Sequence, residues 1–425
     1  MSTLKTTNIK NESSSSNSIV LDPTGGATAN KLITTGITTI STAKVGAAVT
    51  ITASGIEATG VGVTVASINE GQISGRRNLI INGAMNVAQR DTSVASLTSS
   101  GYRTCDRFKI SISSLGTWTV TQESDAPSGF RNSLKVLATA ADASPAAGDF
   151  IFINYGVEAQ DLQCLSYGNS SAKPSTLSFW VKSNKTGNAS VELQQDDNSD
   201  KQVSLQYNIA SADTWEKKVI QIPGDASGVI NDDTGRGIRI GWWMNSGSQY
   251  SGGSHRSSWT AEDNTDRNVS NLGVGGAVND YLQITGVQWE IGNVATPFEH
   301  RSYGDELSLC QRYYEQLRCG SGNAMWSWAG SSASTGFRYR VRKRAEPTVT
   351  TWGTLTDSPS GGTSGTIGVY SPQGWRAWNT LAWQEGTVDG VRSTVSMSES
   401  WSGGAGTSVG IYFYGDSGCK ADCDF

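Results

Sequence analysis

From Met1 to Gly75 the sequence contains no Trp, Tyr or Phe, although the chain of 425 residues holds 14 Trp, 13 Tyr and 9 Phe. A segment without large side chains has too little apolar surface to bury for a core of its own. Its aliphatic residues nevertheless alternate with small ones: Val45, Val49, Ile51, Ile56, Val61, Val63 and Val65 stand among Gly46, Gly55, Gly60 and Gly62. That period-two pattern with glycines at turn spacing predicts short strands. Such strands in a monomer would expose their edges, so several copies must wind together to bury each other's Val and Ile rows. Residues 1–76 are therefore expected to oligomerise the protein.

Aromatic residues begin after Arg76-Arg77-Asn78. From there to Tyr303 strand-like alternation recurs, as in Leu177, Phe179 and Val181 against Ser178, Trp180 and Lys182, and in Val203, Leu205, Tyr207 and Ile209. Asn82-Gly83, Lys185-Thr186-Gly187 and Pro223-Gly224-Asp225 punctuate it. Leu282 to Ile291 reads as one long strand kinked at Thr285-Gly286, and the adjacent Trp242 and Trp243 as one inward and one outward ring. Many short strands without helical period predict a jelly-roll-like β-sandwich over 77–303. Leu307, Cys310, Tyr314 and Leu317 then share a helical face, giving a linking helix over 304–319, and 320–425 returns to strand period as a smaller C-terminal β-sandwich. The fold class expected is all-β, extended and multidomain.

Charged residues are only 17% of the chain and the formal net charge is −5, which lacks the basic footprint that phosphate contacts require. The single basic run, Arg338 to Arg344, alternates with Tyr339 and Val341 and is expected to be a solvated strand face. No window carries the ~18 consecutive apolar residues of a spanning helix, and no secretory leader pattern opens the chain. Nucleic-acid partners and membrane insertion are thus not expected. Six cysteines without a CxxC pair fit neither a disulfide scaffold nor a zinc ribbon; Cys419 and Cys423 are the one pair for which a bridge stays open.

The series Arg77-Asn78-Leu79-Ile80-Ile81-Asn82-Gly83-Ala84-Met85-Asn86-Val87-Ala88-Gln89-Arg90, Asp106-Arg107-Phe108, Leu177-Ser178-Phe179-Trp180-Val181-Lys182, Thr285-Gly286-Val287-Gln288-Trp289-Glu290 and Thr296-Pro297-Phe298-Glu299-His300-Arg301 resembles, in order over some 240 residues, a domain of bacteriophage tail-fibre and receptor-binding proteins. Thr6-Thr7-Asn8-Ile9-Lys10 is similar to the start of fibre-like proteins of marine and cyanobacterial phages, and Arg344-Ala345-Glu346-Pro347-Thr348-Val349 to a stretch of the family's small C-terminal β domain. The resemblance implies a homotrimeric virion protein of the tail, assembled in the host cytoplasm. It would dock on adaptor, nozzle or baseplate proteins through its N-terminal region and present its C-terminal domains to a host surface glycan or protein receptor.

Chemistry-bearing motifs are sparse. Asp196-Asp197-Asn198-Ser199-Asp200 starts like a calcium loop but places Lys201 and Tyr207 where Gly and Glu belong, so it reads as a polar hairpin loop. Asp232-Asp233 and Glu262, Asp263 and Asp266 are the acid pairs a polysaccharide depolymerase would draw on, and they lie in loop-like stretches. His255 and His300 sit in no nucleophile motif, and no phosphate-cradling loop occurs. No cofactor, metal or catalytic residue is expected, and the protein is read as a non-enzyme. The candidate receptor contacts are Trp375, Trp378, Trp383, Trp326 and Trp328, flat aromatics in Gly-rich surroundings that suit stacking on sugar rings or filling a small core or a trimer seam. A depolymerase and a connector fibre that touches no receptor are the alternative readings.

Overall fold

The computed structural model describes residues 42–44, 49–52, 55–58, 76–197, 200–318, 323–329, 332–352, 354–355, 366–371, 374–376, 378–384, 386–397, 408–413 and 418–425. The chain divides into two units, Met1–Ala66 and Ser67–Phe425. In the first, β1 (Thr42–Lys44), β2 (Val49–Thr52) and β3 (Gly55–Ala58) form an antiparallel sheet in that order; β2 and β3 carry Val49, Ile51 and Ile56 of the alternation, and β1 precedes it. The rest of the expected oligomerising region lies outside the described residues.

The second unit is also built of strands. Its first part contains β4 (Ser93–Leu97), β5 (Gly101–Tyr102), β6 (Phe108–Ser113), β7 (Thr117–Glu123), β8 (Ser133–Ala140), β9 (Phe150–Glu158), β10 (Ser175–Ser183), β11 (Gly187–Gln195), β12 (Lys201–Ile209), β13 (Glu216–Ile222), β14 (Arg236–Ser246), β15 (Arg256–Ala261) and β16 (Tyr281–Ile291). They form a six-stranded sheet, β13-β10-β16-β8-β7-β4, and a seven-stranded sheet, β15-β12-β11-β14-β9-β6-β5. Both contribute to one core: Val136, Leu177, Phe179, Ile284 and Trp289 from the first sheet join Phe108, Ile153, Val191, Ile240 and Trp242 from the second. The protein is thus all-β with sandwich-like architecture.

Side-chain alternation decides which face each strand buries, and the kink in β16 has a specific cause. Gly286 has φ +60°, and a Cβ there would fall 2.6 Å from Phe130 Cζ and 2.9 Å from Trp180 Cδ1. The register of β10 against β16 shifts at this point, a bulge that only glycine fits. The adjacent tryptophans of β14 depart from the sequence reading. Trp242 enters the core as expected, but Trp243, on the outward side, is equally buried because it stacks on Phe152 at 4.5 Å beneath Arg267.

The helix is Tyr303–Gln311, capped by Ser302 Oγ, which accepts from the Asp305 N–H. It is shorter than the 304–319 expected, since Tyr314–Arg318 is strand β17 rather than more helix. Tyr314 and Leu317, three apart, point from opposite faces of this strand, and both are buried because it is covered on both sides. Then come β18 (Asn323–Ala329), β19 (Ser332–Arg338), β20 (Thr348–Trp352), β21 (Thr354–Leu355), β22 (Thr366–Ser371), β23 (Gly374–Arg376), β24 (Trp378–Gln384), β25 (Gly390–Met397), β26 (Ser408–Phe413) and β27 (Gly418–Asp422). They make a three-stranded sheet, β17-β27-β20, and a larger one in the order β21-β22-β26-β18-β19-β25-β24, with β23 on β22. Only Ala377 separates β23 from β24, so the two ends of that path lie within two Cα steps and the sheet must curl on itself.

Arg338, Arg340 and Arg342 are solvated and alternate with Tyr339 and Val341 as expected, but beyond Arg338 the run is not a strand and its end is buried. Strand β19 ends at Arg338, and Lys343 is fully buried, with Nζ donating to Glu315 Oε2 at 2.7 Å and to the Gln311 carbonyl. Arg344 donates to the carbonyls of Cys423 and Thr234. Cys419 and Cys423 are both buried, and no disulfide joins them.

Candidate functional site

Of the five tryptophans singled out from the sequence, only Trp383 has a described side chain. Trp326 and Trp328 belong to β18, Trp375 to β23 and Trp378 to β24, and their side chains lie outside the described residues. The backbone still places them. Trp326 and Trp328 are two apart on one strand, with a register shift against β19 between Ser327 and Ala329, whereas Trp375 and Trp378 lie on either side of the β23–β24 connection.

Trp383 faces Ser393 across the β24–β25 ladder. Its indole N–H donates to Thr351 Oγ1 of β20 at 2.9 Å, and its ring meets Phe337 of β19 edge-on at 5.7 Å between centroids. These two contacts from separate sheets fix the ring and leave it half-buried. It borders a groove of about 190 Å³ with Pro347, Val349 and Val391, rimmed by Glu346, Gln384 and Gly386. The Gln384 carbonyl accepts from Thr394 Oγ1 at 3.1 Å, which orients the amide. A larger polar hollow of about 560 Å³, between Arg338, Tyr339, Thr387, Asp389 and Gly390, flanks the same turn. The first groove therefore offers an indole whose only polar atom is already used, three apolar neighbours, and a carboxyl and an amide at the rim. That combination suits a ligand with an apolar ring face and peripheral hydroxyls.

Asp233, Glu262, Asp263 and Asp266, four of the five acids considered for catalysis, make structural contacts. Asp263 Oδ1 accepts from the Thr265 N–H and hydroxyl; Asp266 is buried and accepts from Arg256 and the Ser254 N–H; Glu262 lies 3.8 Å from Arg267; Asp233 accepts from the Gly235 N–H. Asp196 pairs with Arg236, and Asp197 receives two hydrogen bonds from Asn231 in the hairpin loop between β11 and β12. No cluster of metal-ligating side chains occurs among the described residues. His255 is held by Ser204 and Ser270, and His300 packs against Phe298 and Phe130.

The most concentrated electrostatics join the sandwich to the residues after β27, and no sequence motif marks that pairing. Arg107 donates to Asp424 at 2.9 Å and to the Gly156 carbonyl at 2.6 Å, with its guanidinium 3.3 Å from the Tyr313 ring centroid. Arg90 reaches Asp422 and Asp424 at 2.9 and 2.7 Å and lies over Tyr314. Burial pushes the Asp106 carboxyl beside them up to about 7, against two hydrogen bonds from Gln89. Nearby, Glu158 is fully buried and takes two hydrogen bonds from Arg312 at 2.8 Å, which hold its carboxyl below the usual range against the opposing effect of burial.

No protein-family model matches the sequence, and no curated protein matches it. Solved structures that match include the enzymatically active domain of tailspike protein 4 of bacteriophage CBA120, at 14% identity over 50% of this chain and 21% of that one, with TM-score 0.28. A putative sugar-binding protein from Bacteroides thetaiotaomicron matches at 12% identity over 51% of this chain and all of that one, with TM-score 0.28. A family 11 carbohydrate-binding module of Clostridium thermocellum matches at 13% identity over 49% and 99%, with TM-score 0.25. The chain thus spans about a fifth of the tailspike structure's length.

Proposed function

We propose that the protein is a tail-fibre protein of a bacteriophage virion that recognises glycan on the host surface and binds it without cleaving it. The observation that carries this reading is the Trp383 groove, where an indole fixed from two sheets borders apolar walls below a polar rim. Binding rather than cleavage is supported by the engagement of Glu262, Asp263 and Asp266 in caps and ion pairs. Docking through the N-terminal region and a trimeric state complete the reading. They are supported by the ordered series of motifs from Arg77 to Arg301 and by a first unit whose aliphatic rows have no aromatic core to pack on. The test is a Trp383→Ala variant in a glycan-binding and cell-adsorption assay. A loss of about tenfold or more in affinity with an unchanged melting temperature supports the reading; unchanged adsorption removes the groove from it.

A further inference from the structure

The outward face of the six-stranded sheet carries aromatic rings that the core does not use. Leu177, Phe179 and Val181 of β10 enter the core, which turns Trp180 and Lys182 to the other side. The ladders set Trp180 beside Lys217 of β13 and Thr285 of β16, at the ~5 Å spacing of cross-strand neighbours. Trp215, immediately before β13, joins this face through Asp125, whose carboxylate accepts from the Trp215 indole N–H at 3.2 Å and from Lys182 Nζ at 2.9 Å. The kink of β16 seats Trp180: the space that a Cβ at Gly286 would take is filled by the edges of Trp180 and Phe130.

These groups are open to solvent and not saturated. Trp180, Trp215 and Phe130 are half-buried, Lys217 is exposed, and the Asp125 side chain is 47% exposed. The Trp180 indole N–H and the Lys217 ammonium make no hydrogen bond or ion pair among the described residues, and that N–H is not buried. A carboxylate can accept about four hydrogen bonds, so Asp125, with one on each oxygen, keeps capacity for hydroxyls. Both indoles are already held, Trp215 by Asp125 and Trp180 against Gly286, so binding would cost them little rotamer freedom. Lys182 and Asp125 neutralise each other, which leaves the face close to neutral. Of the exposed large apolar side chains only Val219, opposite Ser178, lies on these strands, whereas a protein partner would ask for an apolar interface core.

We infer that this face binds a neutral oligosaccharide, with a pyranose ring stacked on Trp180, a neighbouring unit at Trp215, and hydroxyls that donate to Asp125 and accept from the Trp180 N–H and Lys217. The inference rests on the reading of the protein as glycan-binding but not on the Trp383 groove. Flat rings with donors and an acceptor at their edges match a sugar, whose ring has an apolar face and peripheral hydroxyls.

The experiment measures binding of the full chain to immobilised hexamers of glucose, mannose, galactose and N-acetylglucosamine. It uses wild type, Trp383→Ala, and Trp383→Ala combined with either Trp180→Ala or Trp215→Ala. At least one hexamer is expected to hold Trp383→Ala, with little effect of added salt, and to bind each double variant about tenfold or more weakly at unchanged melting temperature. The proposal is overturned if Trp383→Ala binds no hexamer, or if both double variants bind as Trp383→Ala does. Should the variant at Trp180 unfold, the one at Trp215 decides the outcome alone. Binding by wild type that Trp383→Ala abolishes keeps the groove and removes this site, whereas binding that survives Trp383→Ala in full and falls only in the double variants does the reverse, so the two fail separately.

Discussion

Several of the residues most distinctive in the sequence hold the fold together. Asn78 Oδ1 accepts from the Ile80 and Trp289 N–H groups while its amide donates to the Val287 carbonyl, and Asn82, at φ +61°, bridges Val87 and Asp106 in the same way. Gly83 must be glycine because a Cβ would lie 2.1 Å from the Val287 carbonyl oxygen, and the Val287 N–H bonds back to Gly83 at 2.9 Å. Gly83→Ala therefore forces backbone apart and is expected to cost at least ~2 kcal/mol, read by chemical denaturation. Glu158 supplies a pH signature. Its folded carboxyl is held below its unfolded value near 4.3, so its contribution is complete above that value and is lost as pH falls through the folded one. Denaturation of Glu158→Gln followed from pH 6 to 3 is expected to show a shallower acid loss than wild type; parallel curves would contradict the assignment.

At the scale of elements, period-two patterning was enough to read the strands of the sandwich, because one side of each faces a single core and Leu177, Phe179 and Val181 have no alternative place to go. It was also enough to foresee the kink at Gly286. It failed at Trp243, where a guanidinium and a second ring cover a nominally outward side chain, and at Lys343, whose partner Glu315 lies 28 residues away and belongs to another element. Long-range pairing of this kind leaves no local trace. The helix boundary slipped because Tyr314 and Leu317, three apart, match a helical period, whereas they are buried from opposite faces of a strand covered on both sides. The same scale yields a prediction for the Arg107–Asp424 pair, whose two side chains are 1% and 2% exposed. Asp424→Ala leaves a buried guanidinium unpaired and is expected to cost ~3–5 kcal/mol, seen as a lower melting temperature, with faster proteolysis between Arg318 and Gly418.

For the whole molecule, the boundary at Ala66 predicts that a chain beginning at Ser67 keeps the strand signature and thermal transition of the second unit. Light scattering on the same pair of chains tests the oligomer: about three times the chain mass for the full sequence and a smaller multiple without the first unit, whereas equal multiples would place the assembling surface elsewhere. Strand β27 lies between β17 and β20, and the aspartates beside it meet Arg90 and Arg107 across 317 to 334 residues of sequence. A ribosome therefore delivers both arginines long before their carboxylates exist, and the sandwich waits through the synthesis of every intervening strand with two guanidinia unneutralised. A copy cut short before Gly418 would lack the middle strand of one sheet and the carboxylates that pair with Arg90 and Arg107 of the sandwich at once.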